Sequence, residues 1–154
     1  MPVKSFQGRR NAPKKEGLKP SLVSDYMTTK LITFKPDQPV AEVMEVLINN
    51  KISGGPVVND KNELLGIISE GDCIKHISES RYYNMPISTD NVEKHMVKNV
   101  ETINGDLDIF EAAKQFLHSK RRRFPIVENG KLVGQISQKD ILIAALEQKG
   151  NNWK

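Results

Sequence analysis

The chain has 154 residues, enough for one compact domain or two small units sharing a core. Its formal charge is +4, yet residues 1–20 carry six cations against Glu16, which leaves residues 21–154 at about −1. The basic balance belongs to the leading segment and not to the body, which argues against a nucleic-acid-binding surface on the folded part.

The segment 1–20 holds Lys4, Arg9, Arg10, Lys14, Lys15 and Lys19 and few apolar side chains. It is expected to be a disordered basic tail. No apolar stretch follows its charges, so it does not read as a secretory signal. The longest apolar run, ILIAAL at 141–146, is far too short to span a bilayer. A single cysteine, Cys73, excludes an internal disulfide and a cysteine-cluster metal site. The chain is expected to be cytoplasmic, with no membrane insertion.

From residue 21 onward the chain is a duplication. Shifting it by 69 residues aligns 23–58 with 92–127 and gives eight identities, among them Val23/Val92, Met27/Met96, Thr33/Thr102, Lys51/Lys120 and Pro56/Pro125. A one-residue deletion then aligns LLGIISEGD (64–72) with LVGQISQKD (132–140) at five more positions. The first repeat is read as 21–79, the linker as 80–91, the second repeat as 92–147 and a C-terminal tail as 148–154.

Each repeat reads as βαββα. A brief extended segment surrounds Thr33 or Thr102. An amphipathic helix follows, with Val40, Val43, Met44, Leu47 and Ile48 at helical spacing in one copy and Ile109, Ala112, Ala113, Phe116 and Leu117 in the other. Asp37 and Asp106 are expected to cap these helices. Two short strands come next, GPVV then LLGIIS, and FPIV then LVGQIS. Asn129-Gly130 is a hairpin signal between the second pair. A last helix opens at Ser69 or Ser137. In the linker, Tyr82 and Tyr83 are expected to pack on the body. The two copies are expected to share one core.

The element that carries chemistry is G-h-h-S-x-x-D, present as GIISEGD and GQISQKD. Its serine lies at a strand-to-helix turn, where unpaired N–H groups attract an anion. Its aspartate, three residues on, suits a vicinal diol. The same residues also suit an N-cap and a first-turn carboxylate. The stretch HSKRRRFPIV (118–127) sets Lys120, Arg121, Arg122 and Arg123 in a row, where the first repeat has Lys51, Ile52, Ser53 and Gly54. No Walker loop, dinucleotide fingerprint or nucleophile elbow is present, and no catalytic residues are assigned. His76, His95 and His118 show no ligand spacing, so no metal is expected. Cys73 is expected to be a small core residue.

The paired βαββα units, the h-P-h-h strands and the G-h-h-S-x-x-D endings resemble CBS domains, and the tandem resembles the Bateman module. The resemblance covers about residues 21–147. It implies an α+β fold of two repeats about a pseudo-two-fold axis, with clefts for an adenosine-containing nucleotide of the AMP, ADP or ATP type. In that frame Asp72 and Asp140 would hold ribose hydroxyls, and Ser69 and Ser137 would lie near phosphate. Each cleft would also borrow the segment before the first helix of the other repeat. That pairs Ser137, Lys139 and Asp140 with Thr33–Val43, and Ser69 and Asp72 with Thr102–Ala112. Arg122 and Arg123 would face phosphates, opposite in character to Ser53 and Gly54, and Lys139 stands against Gly71. The resemblance further implies a non-enzymatic regulatory module in which the nucleotide is a regulatory ligand and not a catalytic cofactor. A homodimer and a separate effector protein would be its partners. Nucleic-acid or other anionic-partner binding through the tail and Lys120–Arg123 is the alternative.

Overall fold

The computed structural model describes residues 21–82 and 90–152. The basic tail 1–20, most of the linker and the packing of Tyr82 and Tyr83 lie outside the described residues. In chain order the elements are α1 (Val23–Tyr26), α2 (Val40–Asn50), β1 (Gly54–Val58), β2 (Leu64–Ser69), α3 (Glu70–Tyr82), α4 (Val92–His95), α5 (Ile109–Ser119), β3 (Arg123–Glu128), β4 (Lys131–Ser137) and α6 (Gln138–Asn152). The last helix thus runs through most of the segment expected as a C-terminal tail, and α3 enters the expected linker.

The fold is α+β, built on two antiparallel hairpins, β1–β2 and β3–β4. Asn129 and Gly130 have φ of 53° and 80°, the double left-handed turn that Asn-Gly favours. The expected first strand of each repeat shrinks to one parallel bridge, Phe34 to Val57 and Ile103 to Ile126. The proline of the h-P-h-h strand explains the truncation. Phe34 N–H donates to the Pro56 carbonyl and Ile103 N–H to that of Pro125, at 2.9 and 3.0 Å. Continuing either ladder backwards would require an N–H from the same proline, which has none.

The two halves are tied by reciprocal exchange. The short helix α1 docks on the second repeat and α4 docks on the first. Val23 N–H donates to Leu107 O and Val92 N–H to Gln38 O, both at 2.8 Å. Ile109 N–H donates to Ser21 O at 2.8 Å and Val40 N–H to Asp90 O at 3.0 Å. Beyond each short helix the chain adds an edge to the other hairpin, Thr28 to Gln135 and Val97 to Ile67. Every one of these bonds has its counterpart at the repeat offset, which is the pseudo-two-fold in backbone form.

Two cores result, where one shared core was expected. One joins Phe34, Val40, Val43, Leu47, Val57, Ile68 and Cys73 with Val92. The other joins Ile103, Ile109, Ala112, Phe116, Phe124, Ile126, Ile136 and Ala144 with Val23. Each exchanged valine is fully buried, a contribution of about 1.5–3 kcal/mol apiece. The close crossing requires glycine. A Cβ at Gly66 would lie 2.5 Å from Val97 O, and one at Gly134 would lie 2.6 Å from Met27 Sδ and 3.0 Å from Thr28 O.

Two details of the first helices differ from expectation. Asp37 and Asp106 do not cap them. The helices start later, after Pro39 and Asp108, and Asp108 accepts from Phe110 N–H at 2.7 Å. Ile48 and Leu117, read as part of the buried stripe, lie at its outer edge and are 74% and 80% exposed. The shared Lys51 and Lys120 end these helices in the left-handed conformation, with φ of 55° and 57°.

Candidate functional site

Between the repeats lies an open cleft of about 270 Å³. Ile67 and Gln135, equivalent residues on the inner strands, both line it. One wall is Ser53, Gly54, Gly55 and Ser69 from the first repeat. The other is Lys120, Arg121, Arg122 and Arg123 from the second. The walls are equivalent loops of the duplicated unit, yet one is small and neutral and the other carries four cations. Arg121 is partly committed, since its Nε donates to Glu101 Oε1 at 3.2 Å. The narrow wall is small for a packing reason too. A Cβ at Gly55 would fall 2.9 Å from both the Ile32 carbonyl and the Phe34 ring.

The structure therefore brings Ser69, Arg122 and Arg123 into one cleft. Ser137 and Asp140 sit beside its cationic wall, because Arg123 pairs with Ser137 across the hairpin and Gln138 N–H donates to Arg122 O at 3.1 Å. Lys139 is exposed on the first turn of α6. Thr102 lines a different cleft, also about 270 Å³, with Leu64, Leu65, Lys98, Val100, Val127 and Gly130. Thr33 is exposed beside Phe34. The crossing segments are Ser21–Thr28 and Asp90–Val97, earlier in each repeat than the stretches 33–43 and 102–112 that the resemblance pairs with the other repeat's serine and aspartate. Phe34 and Ile103 bond within their own repeats instead.

Ser69 and Asp72 form a reciprocal capping box at the start of α3. Asp72 Oδ2 accepts from Ser69 N–H and from Ser69 Oγ–H, both at 2.9 Å, and Ser69 Oγ accepts from Asp72 N–H at 3.3 Å. Ser137 and Asp140 repeat this at 2.8, 3.0 and 3.2 Å. One carboxylate oxygen of each aspartate is thus engaged in ending the strand and starting the helix. The other oxygen, Oδ1, takes no part in the box. Cys73 follows Asp72 into the core, and burial, helped by the Asp72 and Glu70 carboxylates, pushes its thiol pKa up. It is a packing residue, not an activated nucleophile.

A second constellation went unread in the sequence. His76, Asp90 and His95 converge where α3, the residue leading into α4, and α4 meet. His95 Nε2 lies 2.8 Å and His76 Nδ1 3.7 Å from Asp90 Oδ2. This corrects the expectation that the histidines are dispersed. Their spacings of 14 and 5 residues match no local ligand motif, and only the exchange of α4 brings them together.

No helix among the described residues is long and apolar enough to cross a membrane. The CBS domain model matches residues 23–79 and 92–147. An uncharacterized 17.7 kDa protein of Acidianus ambivalens is 32% identical over 126 residues, 81% of this chain and 73% of its own length. The chloroplastic CBS domain-containing protein CBSX1 of Arabidopsis thaliana is 32% identical across 82% of this chain, which spans 65% of that longer protein. The crystal structure of CBSX2 in complex with AMP superposes with a TM-score of 0.73 at 29% identity, covering 84% of this chain and 98% of the other. With both halves of the fold matched in order, the chain belongs to the CBS-domain family as a tandem pair.

Proposed function

We propose that this CBS pair is a regulatory module that binds an adenosine-containing nucleotide in its inter-repeat cleft and passes occupancy to a partner. The observation that carries this is the cleft's unequal walls. A run of cations faces small residues across a volume that fits one small phosphate-bearing ligand. The AMP complex of CBSX2, a relative of the same fold, supports the ligand class. Phosphate would sit between Arg122, Arg123 and the Ser69 or Ser137 turns, with Lys139 adding charge at the α6 end. Ribose hydroxyls would be held by the carboxylate oxygen that the Asp140 box leaves over, and more weakly by that of Asp72. Thr102 lines the other cleft and Thr33 is exposed beside Phe34, so neither is assigned to this ligand. A sulfonium ligand such as S-adenosylmethionine is disfavoured by the arginines.

Binding would act by favouring one packing of the repeats, or of a dimer, over another. The exposed pairs Ile48 with Ile74 and Leu117 with Leu142 stand at equivalent positions on the two halves. They fit a second copy of the chain, which makes a homodimer the expected assembly. A separate effector protein would receive the signal.

Calorimetry with AMP, ADP, ATP, NAD, a cyclic dinucleotide and S-adenosylmethionine tests the proposal. Saturable binding of a phosphate-bearing adenine ligand, retained when residues 1–20 are deleted, is expected. Absence of binding by every adenine ligand would overturn it. Tight oligonucleotide binding that falls steeply with salt and vanishes with the tail would favour the anionic-polymer alternative.

A further inference from the structure

We propose that His76, Asp90 and His95 form a binding site for one divalent transition-metal ion of the zinc or cobalt class. Two imidazole nitrogens and one carboxylate oxygen are a donor set that such ions select. All three ligand atoms lie within 4.8 Å of one another. Ligand atoms around a tetrahedral zinc are roughly 3.3 Å apart, given metal–ligand bonds of about 2.0–2.1 Å. The 2.8 and 3.7 Å separations from Asp90 Oδ2 bracket that value. The two rings stand 4.2 Å apart at 45°, and His95 is the less buried of the two.

The duplication supplies an internal control. The positions equivalent to His76, Asp90 and His95 in the other half are Ala144, Ser21 and Tyr26. There the packing is a buried alanine, a hydrogen bond between Gln148 and Ser21, and Tyr26 Oη–H donating to Glu147 at 2.8 Å. The fold closes without any metal-ligating pair at this junction. In the first half all three positions carry ligand-type side chains, and His76 is 1% exposed where its counterpart is a methyl group. Three departures from the repeat that meet at one point are better explained by a shared ligand than by packing.

The surroundings are compatible with a bound ion. Lys94 Nζ lies 3.6 Å from Oδ1, the other Asp90 oxygen, and is exposed enough to swing away. Ser80 Oγ, 3.3 Å from His76 Nδ1, yields that contact when a metal takes the nitrogen. The three protein ligands leave a fourth position for water or a further ligand. A bound ion would fasten α3 to the exchanged helix α4, and so one repeat to the other.

The test is titration of the chelator-treated full chain with Co²⁺, followed by displacement with Zn²⁺. A single saturable site with the visible absorption of tetrahedral cobalt is expected. His95→Gln and Asp90→Asn should each weaken binding at least ~10-fold. His76→Ala, which restores the residue of the other half, should abolish it, while His118→Gln should leave it intact. Circular dichroism controls for folding, and if His76→Ala does not fold, the other two variants decide. No saturable binding by the wild type, or binding unchanged in both His95→Gln and Asp90→Asn, would overturn the proposal.

Discussion

The two repeats share a backbone plan down to individual hydrogen bonds, yet they differ where chemistry would occur. The loop before the h-P-h-h strand is Ser53-Gly54-Gly55 in one and Arg122-Arg123-Phe124 in the other. The core compensates for the change. Phe34 fills the first repeat beside Gly55, whereas Phe124 fills the second beside Ile103, each aromatic arriving from the opposite strand. Duplication preserved the scaffold, capping boxes and crossing glycines, and left loops and junction free to diverge. Identity between the repeats therefore marks at least the scaffold, and difference between them marks where the two sides of the site diverge.

The largest expected effect falls on the shared scaffold. Gly66→Ala puts a methyl against backbone, 2.5 Å from Val97 O, and should cost about 3 kcal/mol. Gly134→Ala meets first the flexible end of Met27 and should cost about 1 kcal/mol. Chemical denaturation of both variants measures the difference, and equal costs would mean that the two crossings are not as unequal as their contacts. Next comes the cleft. Giving the second repeat the first one's loop, Arg122→Ser with Arg123→Gly, should lower nucleotide affinity about 30-fold, near 2 kcal/mol. Melting temperature should stay nearly constant, because both side chains are at least partly exposed.

A smaller contrast separates the aspartates. Asp72→Ala and Asp140→Ala should each cost about 1 kcal/mol of stability through the lost cap. Asp140→Ala should weaken nucleotide binding roughly tenfold, more than Asp72→Ala does. Equal losses of affinity would make the two sides of the cleft equivalent and remove the asymmetry. The smallest effect concerns Cys73, whose counterpart is Ile141. Its raised pKa means that ionisation favours the unfolded chain, so stability is complete below the ordinary thiol range and declines as pH rises through it. At pH 8 a thiol reagent should modify the native chain far more slowly than the denatured one, read by absorbance of the released thiolate.

Much of this architecture was legible in residue order. The repeat offset, the helical spacing from Val40 to Leu47 and the Asn129-Gly130 turn all follow from local periodicity and local dihedral preference. The adjacency of Arg123 and Ser137 does not, because pairing outward from that turn sets Arg123 against Ile136 and only the bulge at Ile126/Val127 shifts it to Ser137. The exchange was not legible. Val23 and Leu107 are 84 residues apart, and a four-residue helix has no periodicity to read. The serine–aspartate pair was legible in both of its meanings, and the structure shows the capping one in both repeats. The histidine cluster was hidden for the same reason as the exchange, because its partners belong to elements that meet only when α4 crosses over.

That crossing bears on how such a chain arises. A lone copy of the repeat would leave its short leading helix without a groove and its hairpin without an outer edge. Two separate copies, each lending its helix to the other, would satisfy every one of these bonds. The present molecule has the form of such an intertwined pair of identical chains made continuous by gene fusion. Once joined, the halves no longer had to remain identical, and the groove between them was free to acquire one basic and one neutral side.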